Sequence, residues 1–179
     1  GSHFWGHERA GFKPDIVTLG KPMANGHPVG GVVTSSDIMG EFRNAFGYFN
    51  TFGGNPVSCA AAMATLKVLQ EENLMQNAHD VGGYAQQRLT QLAGKHDVIG
   101  DVRGAGLYFG IELVTDRGNK TPAADTTARI VDNMRENGIL MGRTGLNSNV
   151  LKIRTPLPFS RGNVDQLMSV LDESLSSLA

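Results

Sequence analysis

The fold of this chain is organised by the stretch Pro14-Asp15-Ile16-Val17-Thr18-Leu19-Gly20-Lys21-Pro22, a short apolar segment that leads directly into a lysine held between glycine and proline. The run Ile16–Leu19 predicts a strand. Gly20 permits close approach of another backbone, and Pro22 is expected to keep Lys21 out of a helix. Open α/β sheets bind ligands at strand ends, and a lysine partly withdrawn from water is a good nucleophile. Lys21 is therefore a candidate covalent catalyst, although on spacing alone a solvated lysine after a strand is the commoner arrangement.

The composition limits the classes of protein to which the chain can belong. It has 179 residues, of which 40% are hydrophobic and 18% charged, so it can bury a core. The net charge is −1 and no basic stripe is present, which argues against nucleic acid and against an anionic membrane surface as partners. No apolar run approaches the roughly 20 residues that span a bilayer. The single cysteine, Cys59, excludes an internal disulfide and favours a reducing, cytoplasmic compartment.

Turn and capping signals divide the chain into predicted elements. Asn55 and Pro56 are an N-cap residue and a first-turn proline, and the helix they begin, over residues 56–70, is apolar almost all round, which predicts burial with Cys59 on a packed face. A second buried strand is expected over 29–34, and Gly138 is expected to close a helix over 123–137. The other predicted strands are 98–103, 107–114, 139–141 and 150–153, and the other predicted helices are 37–46, 74–93 and an amphipathic one from Val164 to Leu178.

Three strings, taken together and in this order, resemble class-III aminotransferases. They are PDIVTLGKPMANGHPVG at residues 14–30, FNTFGGNPVSCA at 49–60 and LKIRTPL at 151–157. The resemblance implies an α/β fold of the pyridoxal-phosphate (PLP) transferase fold type I. Residues 1–78 would be the C-terminal part of the PLP-binding large domain, and residues 79–179 the small C-terminal α/β domain. It also implies a homodimer with shared active sites.

The same resemblance implies a role for four side chains. Lys21 matches the lysine that forms a Schiff base with PLP and then moves a proton between the substrate Cα and the cofactor C4′. Thr51 matches a threonine that binds the cofactor phosphate in the neighbouring subunit. Asn50, beside it, stands where relatives often have serine and is a further cofactor-binding candidate. Arg154 matches the arginine that often holds the substrate carboxylate, which a planar guanidinium does in bidentate fashion.

Three functions follow from the resemblance and stay open at this point. The first is PLP-dependent transfer of an amino group from an amine or amino acid to a 2-oxo acid. The second is a phospho-lyase acting on phosphoethanolamine or phosphohydroxylysine, because the strings around Lys21 and Thr51 are particularly similar to that branch. The third is a non-catalytic folding or dimerisation fragment. The chain is expected to match only the C-terminal portion of such an enzyme and to lack the aspartate that pairs with the pyridine nitrogen, so weak or absent activity is expected of it alone.

The five histidines give little indication of a functional site. His3, His7, His27, His79 and His96 show no metal-ligand spacing, and no metal site is predicted. His27, between Gly26 and Pro28, lies close to Lys21 in sequence and is a candidate to line the site.

Overall fold

The structure, a computed structural model, describes residues 1–177; positions 178 and 179, which include Leu178 of the predicted last helix, lie outside the described residues. The chain divides into two compact units. One consists of His3–Leu74, and the other runs from Met75 onwards and includes the first two residues. Among the described residues, no helix is both long enough and apolar enough to cross a membrane.

The unit His3–Leu74 is built around a short antiparallel strand pair. Its elements are α1 Gly6–Arg9, β1 Ile16–Leu19, β2 Gly31–Thr34, α2 Ser36–Ala45 and α3 Pro56–Glu71. β1 pairs with β2, with Ile16 opposite Thr34. A one-turn 3-10 helix over Lys21–Ala24, here called the lysine turn, follows β1 and packs against α3. The two strands of this pair run antiparallel, and Leu19, the last residue of β1, lies opposite Gly31.

Side-chain caps begin α2 and α3, and the start of α3 at Asn55 and Pro56 is as predicted. The Ser35 hydroxyl accepts a hydrogen bond from the Ile38 amide at the start of α2. The Asn55 carboxamide accepts one from Ser58 N at 2.9 Å, and Pro56 occupies the first turn of α3. These local signals are sufficient because each cap satisfies an amide that the helix itself leaves unpaired.

The predicted burial of β2 and α3 is wrong for this chain. Val32 is 58% exposed, α3 has no buried residue, and Cys59 is exposed. Only Ala24 and Leu74 are buried in the whole unit. The apolar pattern correctly marks residues that favour burial, but two short strands and three helices present too little surface to cover them.

The second unit is a five-stranded antiparallel sheet with helices. Its elements are α4 Leu74–Lys95, β3 Ile99–Ala105, β4 Tyr108–Asp116, β5 Thr121–Pro122, α5 Ala124–Glu136, β6 Gly142–Thr144, β7 Val150–Arg154 and α6 Arg161–Ser176. The strand order is β3-β4-β7-β6, and β5 pairs with β4. One core cluster joins the sheet to α4, α5 and α6, with Leu89, Ile111, Ile130 and Leu171 fully buried.

The apolar stripe of α6 is confirmed within the described residues, since Val164, Leu167, Met168, Leu171 and Leu175 are all buried. Such spacing places one helix face on the core.

The predicted strand 139–141 is wrong. The amide of Ile139 donates to Met134 O at 2.8 Å, and that of Gly138 donates to Arg135 O at 3.0 Å. These bonds close the C-terminus of α5, with Gly138 at φ +80°, as predicted for this glycine. Because the Ile139 amide already has a partner in the helix, no ladder begins there, and Leu140 is 87% exposed.

Helix α4 approaches the turn between β3 and β4 at backbone distance. A Cβ atom placed on Gly82 would lie 2.2 Å from the carbonyl oxygen of Gly106, which itself has φ +53°. The next residue, Gly83, faces open space, with nothing within 4 Å of the corresponding Cβ position. Gly82 is therefore required by packing, whereas Gly83 is not.

Candidate active site

Lys21 lies where β1 ends and the lysine turn begins. Its side chain is exposed, and no described residue forms a hydrogen bond or ion pair with its amine. Its φ of +32° is a conformation that costs about 1–3 kcal/mol in a non-glycine residue and is concentrated at functional sites. The structure differs from two of the predictions for this segment. Pro22 does not keep Lys21 out of a helix, because a proline fits the first turn of the 3-10 helix. No backbone approaches Gly20 closely, because nothing lies within 4 Å of its Cβ position.

Backbone hydrogen bonds hold the segment around Lys21 in a fixed shape. Met23 N donates to Gly20 O at 3.0 Å, and Asn25 N donates to Pro22 O at 3.1 Å. Asn25 then takes the left-handed conformation, with φ +49° and ψ +46°. The lysine is thus placed by a closed series of turns and not by a mobile loop.

The end of this segment is tied to α3 by a side-chain contact. His27 N donates to Ala24 O at 3.1 Å, and His27 Nε2 lies 2.8 Å from Ser58 Oγ. Ser58 Oγ also accepts from Asn55 Nδ2 at 3.0 Å. His27, suggested from its place in the sequence, is therefore next to the lysine turn, and its partner Ser58 was not predicted.

The loop that carries Asn50 and Thr51 uses Asn50 to hold its own shape. Asn50 Oδ1 accepts from Phe52 N, Asn50 O accepts from Gly53 N, and Asn50 Nδ2 donates to Tyr48 OH, each at 3.2 Å. The amides of Phe52 and Gly53 are thus used inside the loop. Thr51 is exposed, and its hydroxyl has no partner among the described residues. The hydroxyl of Thr51 is therefore available to donate to a phosphate oxygen.

Arg154 lies in the other unit, at the end of β7, where it is paired in register with Tyr108. It borders a surface cavity of about 480 Å³ whose wall also includes Lys152, Phe159 and Gln166. Arg154 is exposed, and no described residue forms an ion pair or side-chain hydrogen bond with it. Lys152 was missed in the sequence, although the alternation of side chains along a strand places it on the same face as Arg154. The cavity therefore has two cationic side chains, which suit an anionic substrate group.

A cluster of charged side chains lies between the C-terminal end of α4 and α6. The Asp172 carboxylate accepts from Lys95 Nζ at 2.6 Å and lies 2.5 Å from His96 Nε2. These hydrogen bonds, that from Lys95 above all, hold the pKa of Asp172 below its ordinary value. Because the cluster joins the end of α4 to α6, it stabilises the fold of this unit.

The chain is similar to known proteins over nearly its whole length. A family model described as aminotransferase class-III matches residues 1–175. The chain is 48% identical to the alanine–glyoxylate aminotransferase 2 homolog 2, mitochondrial, of Arabidopsis thaliana, over 98% of this chain and 37% of that protein. It is 41% identical to ethanolamine-phosphate phospho-lyase homolog 1 of Caenorhabditis elegans, over 98% of this chain and 38% of that protein.

A solved structure shows the same relationship in three dimensions. The phospholyase from Arthrobacter in complex with phosphoethanolamine matches with a TM-score of 0.96 and 44% identity, over 99% of this chain and 42% of that one. The predicted α/β fold of the PLP-dependent transferases is thereby confirmed. The chain spans only about two fifths of the length of the proteins it matches.

The residues present fit the family's cofactor, PLP, which is the predicted one. An aldehyde needs an amine that is not already bound elsewhere, and Lys21 offers one at a fixed backbone position. A phosphate needs donors, and the unpartnered Thr51 hydroxyl is one.

Proposed function

The chain belongs to the class-III aminotransferase family, and we propose that the protein containing it transfers an amino group from an amine or amino acid to a 2-oxo acid. The observation that carries the proposal is Lys21: an unpaired amine at a strand end, on a backbone with positive φ. Strain of that kind persists only where the surrounding structure holds it, as the closed turns after Lys21 do.

In the proposed mechanism, PLP, when bound, supplies an electron sink for the charge that develops at the substrate Cα. Lys21 Nζ would hold the cofactor covalently until a substrate amine takes its place. The same amine would then act as the base that removes the proton from the substrate Cα and as the acid that returns it one position further along the reacting group. Because one amine would do both, it must reach two carbon atoms, and the hydrogen-bonded turn that carries Lys21 favours that geometry.

The remaining residues would bind and orient the cofactor and the substrate. Thr51 would hold the cofactor phosphate of the neighbouring subunit in a homodimer, and Asn50 would support it by shaping the loop. Arg154 would hold the substrate carboxylate, with Lys152 adding positive charge in the same cavity. The proposal includes the division of the chain into part of a PLP-binding large domain, residues 1–78, and a small C-terminal domain, residues 79–179. It also includes a cytoplasmic location, which is argued from the single cysteine.

The test uses the longest natural polypeptide in which these 179 residues occur. It is loaded with PLP, reduced with borohydride and digested, and the expected result is a pyridoxyl group on Lys21, detected by mass spectrometry. Lys21→Ala should lose the adduct, the visible absorbance band and the turnover. Lys67→Ala is the matched control, because Lys67 is also an exposed lysine of this unit but forms an ion pair with Glu71 on α3. Adduct formation on another lysine, or turnover that survives Lys21→Ala, would refute the proposal.

A phospho-lyase is the second candidate, supported by the likeness to the Arthrobacter phospholyase and to the C. elegans homolog. Lys21 Nζ would again remove the Cα proton, but the β-phosphate would leave with its bonding electrons and no 2-oxo acid would be needed. Release of inorganic phosphate and acetaldehyde from phosphoethanolamine without a keto acid would select this reaction. Transfer of nitrogen to a keto acid without phosphate release would select the aminotransferase. If the borohydride experiment leaves Lys21 unmodified, the third reading, a non-catalytic fragment, is favoured.

A further inference from the structure

One contact near the proposed active site is not used by the mechanism above. His27, which ends the lysine-bearing segment, and Ser58, in the first turn of α3, are both half-buried and meet at 2.8 Å although 31 positions separate them in sequence. Asn55, the N-cap of the same helix, contacts Ser58 twice: its Oδ1 accepts from Ser58 N and its Nδ2 donates to Ser58 Oγ. A second hydrogen of the Asn55 amide is donated to Phe52 O at 2.9 Å.

The chemistry of the Asn55 carboxamide fixes the direction of the bonds that it makes. The Asn55 amide orientation is determined because its Oδ1 accepts from the Ser58 backbone, so its Nδ2 is a donor on both sides. Ser58 Oγ, having accepted from Asn55, keeps its own proton free to donate. The contact between Ser58 Oγ and His27 Nε2 holds for either tautomer of the ring, because a hydroxyl can donate or accept. The series of hydrogen bonds therefore runs from Phe52 O through Asn55 and Ser58 to His27.

We propose that His27 and Ser58 are positioning residues for Lys21. Their hydrogen bond holds the segment that carries the lysine against α3, and Asn55 extends the connection to the loop that carries Thr51. The inference rests on the proposed function of Lys21. If Thr51 binds the phosphate in the neighbouring subunit, this series of hydrogen bonds positions groups for two active sites. It holds Lys21 in the site of its own chain and Thr51 in the site of the neighbouring subunit.

The experiment uses the longest natural polypeptide containing the chain, with the variants His27→Ala, His27→Gln, Ser58→Ala and Ser58→Thr. Two readouts are measured: the apparent Kd for PLP, by visible absorbance titration, and the pH midpoint of the visible band of the bound cofactor. Thr65→Ala is the matched control. Thr65 lies on the same helix and donates to Ala61 O, and among the described residues its hydroxyl forms no hydrogen bond to the lysine segment. Thermal unfolding is recorded for every variant.

The two alanine variants at His27 and Ser58 should each raise the apparent Kd by about 2- to 10-fold, the range of one neutral hydrogen bond, and should shift the pH midpoint of the band. The double alanine variant should be no worse than either single one, because both remove the same bond. His27→Gln and Ser58→Thr keep a group that can form the hydrogen bond and should retain most of the affinity for PLP.

The proposal is overturned if His27→Ala and Ser58→Ala lower the thermal midpoint while Kd and the band stay unchanged, since the contact would then only stabilise the fold. It is also overturned if their effects on Kd add fully in the double variant, or if Thr65→Ala produces the same change. Lys21→Ala separates this failure from that of the proposed function. If that variant keeps the visible band, the role of Lys21 is wrong; if it loses the band while His27→Ala changes nothing, only the positioning role is wrong.

Discussion

The approach of α4 to the β3–β4 turn predicts opposite effects for two adjacent glycines. Gly82→Ala would place a methyl group 2.2 Å from the Gly106 carbonyl oxygen and 2.6 Å from its carbonyl carbon. Both are backbone atoms and cannot rotate away, so the helix or the turn must move. Gly83→Ala adds the same methyl group to the same helix where nothing lies within 4 Å.

The expected magnitudes follow from these distances. Overpacking of this kind costs about 1–3 kcal/mol and occasionally more, and a backbone obstacle argues for the upper part of that range. Alanine returns about 1 kcal/mol through its higher helix propensity. Gly82→Ala should therefore lower the free energy of unfolding by about 2 kcal/mol, whereas Gly83→Ala should raise it by about 0.5–1 kcal/mol.

Urea unfolding of the 179-residue chain, followed by circular dichroism, measures both variants against the parent. If Gly82→Ala proved as stable as Gly83→Ala, the close packing of α4 on the turn would be refuted. A loss of stability in both variants would show instead that the helix does not tolerate alanine at either site, which would contradict the open surroundings of Gly83.

Further predictions concern charge and core. Arg154→Ala should raise KM for a carboxylate substrate by about 10-fold or more, the scale of a charge-assisted hydrogen bond, with a smaller effect on kcat; an unchanged KM would remove the anchoring role. The lowered pKa of Asp172 means that its contribution to stability is present above its unfolded-state pKa, about 3.9, and is lost as the pH falls through the lower folded-state value. Asp172→Asn should therefore show a smaller loss of unfolding free energy on acidification than the parent, and an equal or larger acid loss in the variant would contradict this. Leu171→Ala, at a fully buried site, should cost about 2–5 kcal/mol, whereas Leu140→Ala, at a site that is 87% exposed, should cost almost nothing; comparable melting shifts would contradict the core assignment.

Helix boundaries were predictable here because their causes are local. Asn55 and Pro56 begin α3 and Gly138 ends α5 through contacts within a few residues, which a sequence displays directly. The stripe on α6 was predictable for the same reason. The strand at 139–141 was not, because the Ile139 amide is taken by the helix before it, and an apolar triplet does not reveal that competition.

The exposure of side chains, and contacts between residues far apart in the chain, could not be predicted from the sequence. The apolar pattern of α3 says which residues favour burial but not what surface covers them, and Val57 is 69% exposed. The likeness of the strings identified Lys21, Asn50, Thr51 and Arg154 as candidates, and their roles stay predictions. The bond between His27 and Ser58 had no local signal, since it depends on how the lysine turn packs against α3.

The uneven burial of the two units has a consequence for handling the protein. Ala24 and Leu74 are the only buried side chains of the stretch His3–Leu74. We therefore expect a protease to cut this stretch before it cuts the core around Ile111 and Leu171. Brief trypsin digestion of the 179-residue chain should accordingly trim it from the amino-terminal side and leave a durable remnant beginning near Met75. A ligand that protects early cleavage sites within His3–Leu74 would thereby be identified as a molecule that covers the exposed surface of this unit.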